Sequence, residues 1–399
     1  MVWRGTGIME ERLKFVAGCL SGEETMAGLC ARYGISRKTG YKWLGRFQAH
    51  GPAGLEDLPR SPLNHGRATA AELVERIVAE KEAHPLWGPK KIAARLNRLH
   101  PQAAWPAAST VGEILKRHGL VGRRQTRWKA CGTGPFAEPD GPNVLWTADH
   151  KGWFRLGDKS RCEPLTVMDA SSRYMLGLEA VTSTGEHEAW PVFERLFDEF
   201  GLPQRLRSDN GPPFASAGVT GLTPLAVRFL KLGIALERIA PGKPQQNGRH
   251  ERFHLTMLPL AKAARGCRQE QQQAFDAFRA EYNGERPHEA LGQTPPAEHY
   301  QKSLRPMPDR WPEPDYPGEA AVRRVRHNGE IKWNGQMIYI AQSLAGEPVA
   351  VEESEDGRWS VRFYAHPLGV IDTTHAKLRR RSQRPGTGPL TTASTAPEL

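Results

Sequence analysis

Two short apolar stretches of this sequence each end in an aspartate, and a later helix opens with a glutamate. Asp149 ends "VLWTAD", Asp209 ends "RLRSD", and Glu251 follows the loop "PGKPQQNGR". Carboxylates that end adjacent strands and begin a nearby helix can meet at one edge of a sheet. From about residue 143 short strands alternate with amphipathic helices, so we predict a mixed α/β core over residues 140–300.

Three carboxylates at one edge repel one another, and at least one takes up a proton unless a cation lies between them. Mg²⁺ or Mn²⁺ resolves this conflict, because these hard ions bind through a few carboxylates and several waters. Two such ions about 4 Å apart can hold the attacking and the leaving oxygen on either side of a phosphorus atom. We therefore predict that Asp149, Asp209 and Glu251 are both the catalytic residues and the ligands of two Mg²⁺ or Mn²⁺ ions.

The stretch "HERFH" at residues 250–254 offers a different partnership for Glu251. It fits H-E-x-x-H, in which two histidines bind zinc and the glutamate is the base of a metalloprotease. No clear third ligand for His250 and His254 follows, and the preceding Pro-Gly-Lys-Pro places Glu251 near the start of its helix. A zinc peptidase is the weaker alternative. Otherwise the two histidines contact DNA phosphates, cap the site or are solvated.

The charge of the chain favours a polyanionic partner. It carries 55 Lys and Arg against 44 Asp and Glu, a net charge of +11. An excess of this size suits nucleic acid, whose counterions are released on binding. The five cysteines include no C-x-x-C pair, which argues against a zinc knuckle or a disulfide framework. No apolar run approaches the ~20 residues that span a bilayer, so we expect a protein that works inside the cell.

The N-terminal third is helical and basic. Residues 8–54 predict a helix-turn-helix unit, in which Ser36 caps a third helix, "SRKTGYKWLGRF". A Pro/Arg/Ser-rich linker at 55–70 precedes residues 71–125, which predict a second such unit. The alternative for both units is an ordinary helical bundle with a solvated basic face. The candidates for DNA contact on these units are Arg37, Lys38, Lys42 and Lys116.

The C-terminal part predicts a separate β module. Residues 301–318 form a Pro-rich linker, and residues 319–375 contain short strands that predict a small β-barrel. Residues 376–399 are basic and then poor in apolar residues, which predicts a disordered basic tail. The hairpin turns of the module are signalled by Asn-Gly at 328–329 and 334–335 and by Asp-Gly at 356–357.

Four segments together resemble the catalytic core of insertion-sequence transposases and retroviral integrases, the DDE enzymes with a ribonuclease H-like fold. They are "VLWTADHKGWF", "LTVMDASSRYMLG", "RSDNGPPFAS" and "ERIAPGKPQQNGRHERFH". The specific part is Asp-Asn-Gly followed downstream by Pro-Gly-x-Pro-x-x-Asn-Gly-x-x-Glu. The resemblance implies that Asp149, Asp209 and Glu251 form the triad. It also implies that the flanking helical and β modules have the layout of bacterial insertion-sequence members.

The resemblance further implies the reaction and its partners. Water attacks the phosphodiester at the end of a mobile element and frees a 3′-hydroxyl, which then attacks target DNA in the same site. The expected partners are double-stranded DNA, as terminal inverted repeats and target, and further copies of the chain in a homo-oligomer on DNA, in the nucleoid-associated cytoplasm of a bacterium. Two alternatives stay open: a DNA-binding regulator derived from a transposase, and a nuclease of the same fold that cleaves without joining.

Other residues near the predicted site have more than one interpretation. Asp169 precedes two serines and is interpreted as a structural turn residue, with a fourth carboxylate ligand of the metal as the alternative. His150 is a possible extra ligand or proton shuttle. Trp146 and Trp153 flank Asp149 and are interpreted as packing, with base stacking as the alternative. The loop before Glu251 carries four candidates for DNA contact, with loop solubility as the alternative: Lys243, Gln246, Asn247 and Arg249.

Overall fold

The structure, a computed structural model, describes residues 7–57, 68–121, 139–240, 244–316, 318–353 and 358–380. Its internal contacts divide the chain into two compact units, residues 1–70 and residues 71–399. The Asp356-Gly357 turn and the predicted tail beyond Arg380 lie outside the described residues. Within the described ranges, every helix is too short or too polar to cross a membrane.

The first unit is the predicted helix-turn-helix. It contains α1 (Ile8–Ser21), α2 (Met26–Arg32) and α3 (Arg37–His50), followed by a 3-10 turn at Gly51–Leu55. Ser36 caps α3 as predicted, because its hydroxyl accepts the N–H of Thr39 at 3.2 Å. The turn between α2 and α3 contains Gly34 at a φ of +63°, a conformation that favours glycine. The buried core consists of Phe15, Val16, Leu29, Cys30, Trp43 and Leu55.

A second three-helix bundle begins the other unit. It contains α4 (Ala71–Ala83), α5 (Pro89–Leu99) and α6 (Ala108–Arg117). Its core surrounds Trp87, which is 1% exposed and packs with apolar residues from all three helices. The bundle therefore has the helical content that the sequence predicts for residues 71–125.

The catalytic core predicted at 140–300 is a mixed sheet flanked by helices. The strands are β1 (Leu145–His150), β2 (Phe154–Arg155), β3 (Arg161–Asp169), β4 (Met175–Val181), β5 (Arg205–Ser208) and β6 (Ala235–Arg238). The helices are α7 (Glu186–Phe200), α8 (Pro224–Lys231), α9 (Gly248–Lys262) and α10 (Arg268–Gly284).

The sheet has the ribonuclease H-like topology that the sequence predicts. The strand order is β4-β3-β1-β5-β6, and β2 pairs with β3. β3 is antiparallel to both β1 and β4, whereas β1, β5 and β6 are parallel. The C-terminal ends of β1 and β5 therefore lie side by side at one edge of the sheet.

Helices cover both faces of this sheet. On one face Trp146 and Ala148 of β1 pack with Phe193 and Phe197 of α7 and Phe229 of α8. On the other face strand residues such as Met168 and Leu178 pack with Phe253 and Met257 of α9 and with Phe275 and Phe278 of α10. Because successive side chains of a strand alternate in direction, Thr147 and Asp149 of β1 project toward the face that α9 covers.

The C-terminal module is a barrel-like sheet that packs against α8. Its strands are β7 (Ala321–Arg324), β8 (Glu330–Trp333), β9 (Gln336–Tyr339), β10 (Pro348–Glu353), β11 (Trp359–Phe363), β12 (His366–Asp372) and β13 (Lys377–Arg379). The predicted turn at Asn334-Gly335 joins β8 to β9, with φ of +46° and +80° as a type I′ hairpin requires. Between residues 301 and 316 the described chain has neither helix nor strand. Arg305 in this segment donates to the carbonyls of Pro203 and Leu232 in the core.

The β module extends beyond its predicted end at residue 375. The sequence predicts disorder from residue 376, but β13 pairs with β12 and Leu378 is 5% exposed in the core of the sheet. The three-residue strand escapes a pattern-based prediction because a single apolar residue between basic ones has no periodicity. The ordered module therefore extends at least to Arg379.

Candidate active site

Neighbouring parallel strands deliver the two aspartates. The register of β1 and β5 pairs Trp146 with Leu206 and Thr147 with Arg207, so Asp149 and Asp209 occupy equivalent places two residues further on. The turn after Asp209 is fixed from the side by Asn210, whose Nδ2 donates to the carbonyl of Ile239 at 2.7 Å. The predicted meeting of two remote carboxylates at one sheet edge therefore follows from strand pairing.

The third carboxylate comes from α9. Glu251 lies in the first turn of this helix and is exposed. α9 is anchored by Phe253 and Met257, which are 2% and 0% exposed in the core beneath it. Because this face of α9 is anchored, Glu251 is held in the first turn of the helix, near the edge of the sheet.

The electrostatics of Asp149 connect all three carboxylates. The pKa of Asp149 is raised from 3.8 to about 7, mainly because burial penalises the charged form. The negative charges of Asp209 and Glu251 raise it further, and Lys151 opposes them. Asp209 and Glu251 are thus close enough to Asp149 to disfavour its charged form.

A buried network of threonines and histidines joins the strand of Asp149 to the helix of Glu251. The Thr166 hydroxyl donates to the backbone carbonyl of Asp149 at 2.8 Å. Its oxygen lies 2.5 Å from Nε2 of His250 and 3.0 Å from Nε2 of His254. Nδ1 of His250 in turn lies 2.9 Å from the hydroxyl of Thr147. The network fixes α9 on β1 and β3 at the residues that flank Glu251.

The proton positions in this network follow from donor counting. Thr166 has one hydroxyl hydrogen, which goes to Asp149, so both histidines must donate their Nε2–H to the Thr166 oxygen. The lone pair of His254 Nδ1 then faces the Asp149 carboxylate at 3.8 Å, beyond hydrogen-bond distance. This pair is not an ion pair, because burial lowers the pKa of His254 to about 3.

The geometry contradicts the zinc interpretation of "HERFH". His250 is 0% exposed and both of its ring nitrogens face threonine hydroxyls, so it has no lone pair left for a metal. His254 is 7% exposed and also bonded to Thr166. The expectation that these histidines are solvated or contact phosphates is wrong for the same reason. The i, i+4 spacing instead places both histidine rings on the face of α9 that packs against the sheet.

The three carboxylates suit a hard divalent cation. They offer only oxygen ligands, and the raised pKa of Asp149 reflects first its burial and then repulsion by Asp209 and Glu251, which a cation would offset. Among the described residues no three or more His, Cys, Asp or Glu side chains are already gathered as a closed metal site. An ion here would keep several waters, which is how Mg²⁺ is usually held.

Asp169 is structural, as interpreted from the sequence. It is 0% exposed and accepts hydrogen bonds from the backbone N–H of Asn143 at 2.7 Å and of Ser172 at 2.7 Å. His150 projects away from Asp149 and packs against Phe214, with 6.1 Å between ring centroids. Asp169 does not join the three carboxylates, whereas the charge of Asp209 acts on the ring of His150.

The loop before Glu251 uses its polar side chains internally. Gln246 Oε1 accepts the N–H of Ala240 at 2.7 Å, and Asn247 is 5% exposed. This burial does not support the predicted DNA contact of Gln246 and Asn247. Lys243 and the side chain of Arg249 lie outside the described residues. The other predicted DNA contacts are exposed on α3 and α6: Arg37, Lys38, Lys42 and Lys116.

Several residues around the site were not singled out by the sequence. Thr147 and Thr166 carry no motif, although strand alternation places them on the same face as Asp149 once the pairing of β1 and β3 is known. Lys151 follows Asp149 and contributes positive charge at both Asp149 and His254. The exposed ring of Trp153 contradicts its interpretation as packing, whereas Trp146 is fully buried.

Known protein families match four parts of the chain. An integrase core domain matches residues 232–296, and the C-terminal domain of IS481 family transposases matches residues 320–379. A helix-turn-helix domain matches residues 11–62 and a homeodomain-like domain matches residues 39–115. These matches confirm the resemblance to DDE insertion-sequence transposases. They support a function in DNA transposition or integration in general, and DNA binding by the N-terminal helices.

Curated relatives include proteins of bacterial insertion elements. The chain is 28% identical over 221 residues to an uncharacterized 31.7 kDa protein of insertion element IS407 from Burkholderia multivorans, which is 51% of this chain and 67% of that protein. It is 31% identical over 169 residues to an uncharacterized 39.2 kDa protein of IS476 from Xanthomonas euvesicatoria, which is 39% of this chain and 44% of that protein.

Solved structures with a similar fold include viral integrases. The magnesium complex of the HTLV-2 integrase catalytic core domain has a TM-score of 0.32 at 17% identity, over 40% of this chain and 99% of that chain. A simian T-cell lymphotropic virus intasome in complex with PP2A regulatory subunit B56 gamma has a TM-score of 0.36 at 16% identity, over 75% and 99%. These similarities are too distant to add to what the topology of the chain shows.

Proposed function

We propose that this chain, whose sequence resembles insertion-sequence transposases, is a DDE-type transposase that cleaves the ends of a mobile element and joins the 3′-hydroxyl to target DNA. The observation that carries the proposal is the interaction of three acids that are remote in sequence. Burial and the charges of Asp209 and Glu251 raise the pKa of Asp149 to about 7. A carboxyl group whose pKa is shifted this far by burial and by neighbouring acids is a sign of a functional site.

The proposed roles divide among the three acids. Asp149 and Asp209, from adjacent strands, and Glu251, from α9, would hold two Mg²⁺ or Mn²⁺ ions. When bound, such ions position the attacking and the leaving oxygen and stabilise the charge that develops on them. Asp149 ionises with a pKa near neutrality, so its carboxylate is available for this role above about pH 7.

The rest of the site positions these acids. Thr166 holds the backbone of Asp149, and the same hydroxyl holds α9 through His250 and His254. The three neutral side chains add no charge to a site that must accept a polyanion. We infer that their role is to keep the carboxylates at fixed separations while DNA enters.

The proposed substrate is double-stranded DNA, bound by more than one copy of the chain. Arg37, Lys38 and Lys42 are exposed on α3, where the second helix of a helix-turn-helix enters the major groove. They would recognise terminal inverted repeats. Joining two ends requires at least two active sites, so we propose a homo-oligomer on DNA.

The test is cleavage and joining of DNA that carries the element's own ends, with Mg²⁺ or Mn²⁺. The intact chain should nick at the element end, and a pre-cut end should be joined to target DNA. Asp149→Asn should lower both rates by at least about 100-fold while leaving end binding intact. Asp198→Asn, an exposed aspartate of α7, is the matched control and should change neither.

Three other outcomes would each contradict the proposal in a different way. Nicking without joining of the pre-cut end would indicate a nuclease of the same fold. End binding without nicking would indicate a DNA-binding regulator. Unchanged cleavage by Asp149→Asn would remove the catalytic assignment itself.

A further inference from the structure

Trp153 is a large aromatic side chain that the core does not use. It is 53% exposed, in the segment between β1 and β2, four residues after Asp149. Four residues span at most about 14 Å of chain, so the backbone of Trp153 lies within that distance of Asp149. Its neighbour Phe154 is partly buried against the core beneath α9 and α10. The chain therefore turns the ring of Phe154 toward the core and leaves the preceding ring, that of Trp153, in solvent.

Positive charge surrounds the exposed ring. The guanidinium carbon of Arg161 lies 5.2 Å from the ring centroid of Trp153, and that of Arg155 lies 5.7 Å away. Arg161 pairs with the buried Glu163, yet its side chain remains 48% exposed. Lys159 is exposed at the hairpin turn, and Lys151 is half-buried beside Asp149. Both guanidinium groups lie over the ring, so a base that stacks there displaces one of them toward its phosphates. Aromatic rings combined with arginines are the groups with which proteins bind single-stranded nucleic acid.

The hairpin that carries this ring is held in place. Phe154 pairs with Cys162 and Arg155 with Arg161. At its turn, the N–H of Gly157 donates to the carbonyl of Arg265 at 2.9 Å, and the N–H of Asp158 donates to the carbonyl of Gly266 at 2.7 Å. These bonds fix the hairpin on the loop between α9 and α10. The ring is thus presented on a supported surface.

We propose that Trp153 is a stacking site for an unpaired base of the DNA strand that enters the active site, with Arg155 and Arg161 binding the adjoining phosphates. Bases within a duplex are stacked on one another, so the ring can take only a terminal or an extruded base. The inference rests on the proposed function and adds to it the form of the substrate, which is DNA locally opened next to the reacting phosphate.

The test compares two DNA probes without added metal. One is a blunt duplex, and the other is the same duplex with a five-nucleotide unpaired tail that contains 2-aminopurine. The intact protein should prefer the tailed probe and quench its fluorescence. Trp153→Ala should reduce this preference by about 5- to 150-fold, the effect of removing one stacked base. Trp153→Phe should retain most of it. Leu304→Ala, which alters an apolar side chain that is 99% exposed in the Pro-rich segment, should change nothing.

The outcomes separate this inference from the proposed function. Because the assay measures binding and needs no cleavage, a chain that never cuts DNA can still show the stacking. An active chain whose Trp153→Ala variant keeps the preference and the quenching would overturn the stacking alone. A Trp153→Ala variant that changes its oligomeric state in solution, but not its preference for the tailed probe, would also overturn the stacking. The ring would then belong to an interface between proteins.

Discussion

At the scale of residues, the proposed site concentrates negative charge in a place where charge is costly. Asp149 is the clearest case, because burial is the largest cause of its raised pKa and two further acids add to it. Its neighbours Thr166, His250 and His254 are neutral and fully engaged with one another. The chain therefore supplies fixed positions for the acids but leaves their charge to be balanced by a ligand.

The raised pKa of Asp149 predicts how the free energy of unfolding changes with pH. Between about pH 4 and pH 7 folded Asp149 keeps a proton that the unfolded chain has lost, so the free energy of unfolding falls as the pH rises. The loss is at most about 4 kcal/mol and is complete above pH 7. Asp149→Asn should remove this fall and should be more stable than the natural chain at pH 8 without metal. Urea unfolding at pH 5 and pH 8 measures it, with Asp198→Asn as the control. An equal fall in all three proteins would show that ionisation of Asp149 is not its cause.

The hydrogen bonds of the Thr166 hydroxyl lead to a second prediction, that loss of this group lowers both stability and cleavage. Thr166→Val removes the acceptor of two buried histidine N–H groups and the donor to Asp149, at a cost of about 1–3 kcal/mol in the free energy of unfolding. Cleavage should fall with it, and Thr166→Ser should restore both. Urea unfolding and end cleavage of the two variants provide the measurement. Loss of cleavage in the serine variant as well would show that the methyl group, and not the hydroxyl, matters.

At the scale of elements, the close packing of α3 can be tested with two glycines on the same helix. A side chain at Gly40 would lie 2.6 Å from Cys30 Sγ and 2.9 Å from Phe15 Cζ, whereas nothing lies within 4 Å at Gly45. Gly40→Ala should therefore destabilise the first unit by about 1–3 kcal/mol. Gly45→Ala should stabilise it by up to about 1 kcal/mol, because alanine favours helix. Thermal unfolding and DNA binding of the full chain measure the effect of each substitution. An increase in stability on Gly40→Ala would contradict the packing of α1, α2 and α3.

The two basic helices of the second bundle, α5 and α6, differ in what their cations face. On α5, Arg95 Nη2 lies 2.6 Å from Glu285 and Lys90 Nζ lies 3.0 Å from Glu289, both just beyond α10. These cations thus face the α/β core, while Lys116 on α6 is exposed. If the second bundle contacts DNA, α6 is the helix with cations available for it. The sequence showed the positive charge of both helices but not which of them is paired.

Elements with a strong local signal could be predicted from the sequence. Ser36 and Gly34 define the start of α3, and the Asn334-Gly335 pair defines a hairpin, because caps and turns depend on neighbouring residues. β13 and the roles of His250 and His254 could not, since they depend on strands and hydroxyls that are distant in sequence. The motif "HERFH" even suggested the wrong chemistry, because its spacing fits a helix packed on threonines as well as one that binds zinc.

At the scale of the whole molecule, strand order joins what the sequence keeps apart. The residues of the proposed triad can be named from motifs, but their proximity follows from the pairing of β1 with β5 and from the anchoring of α9. The DNA contacts were less predictable than the acids. A basic or amide side chain on a loop has many uses, as the internal bond of Gln246 shows, whereas acidic side chains gathered at one sheet edge have few.

The most direct test of the shared cation site is a crystal structure of the protein bound to its DNA ends and soaked with Mn²⁺, with anomalous scattering used to locate the metal. We expect peaks in contact with the carboxylates of Asp149 and Asp209, with Glu251 completing the site, and their loss in the Asp149→Asn protein. Manganese bound elsewhere, with the three carboxylates too far apart to share an ion, would contradict the account.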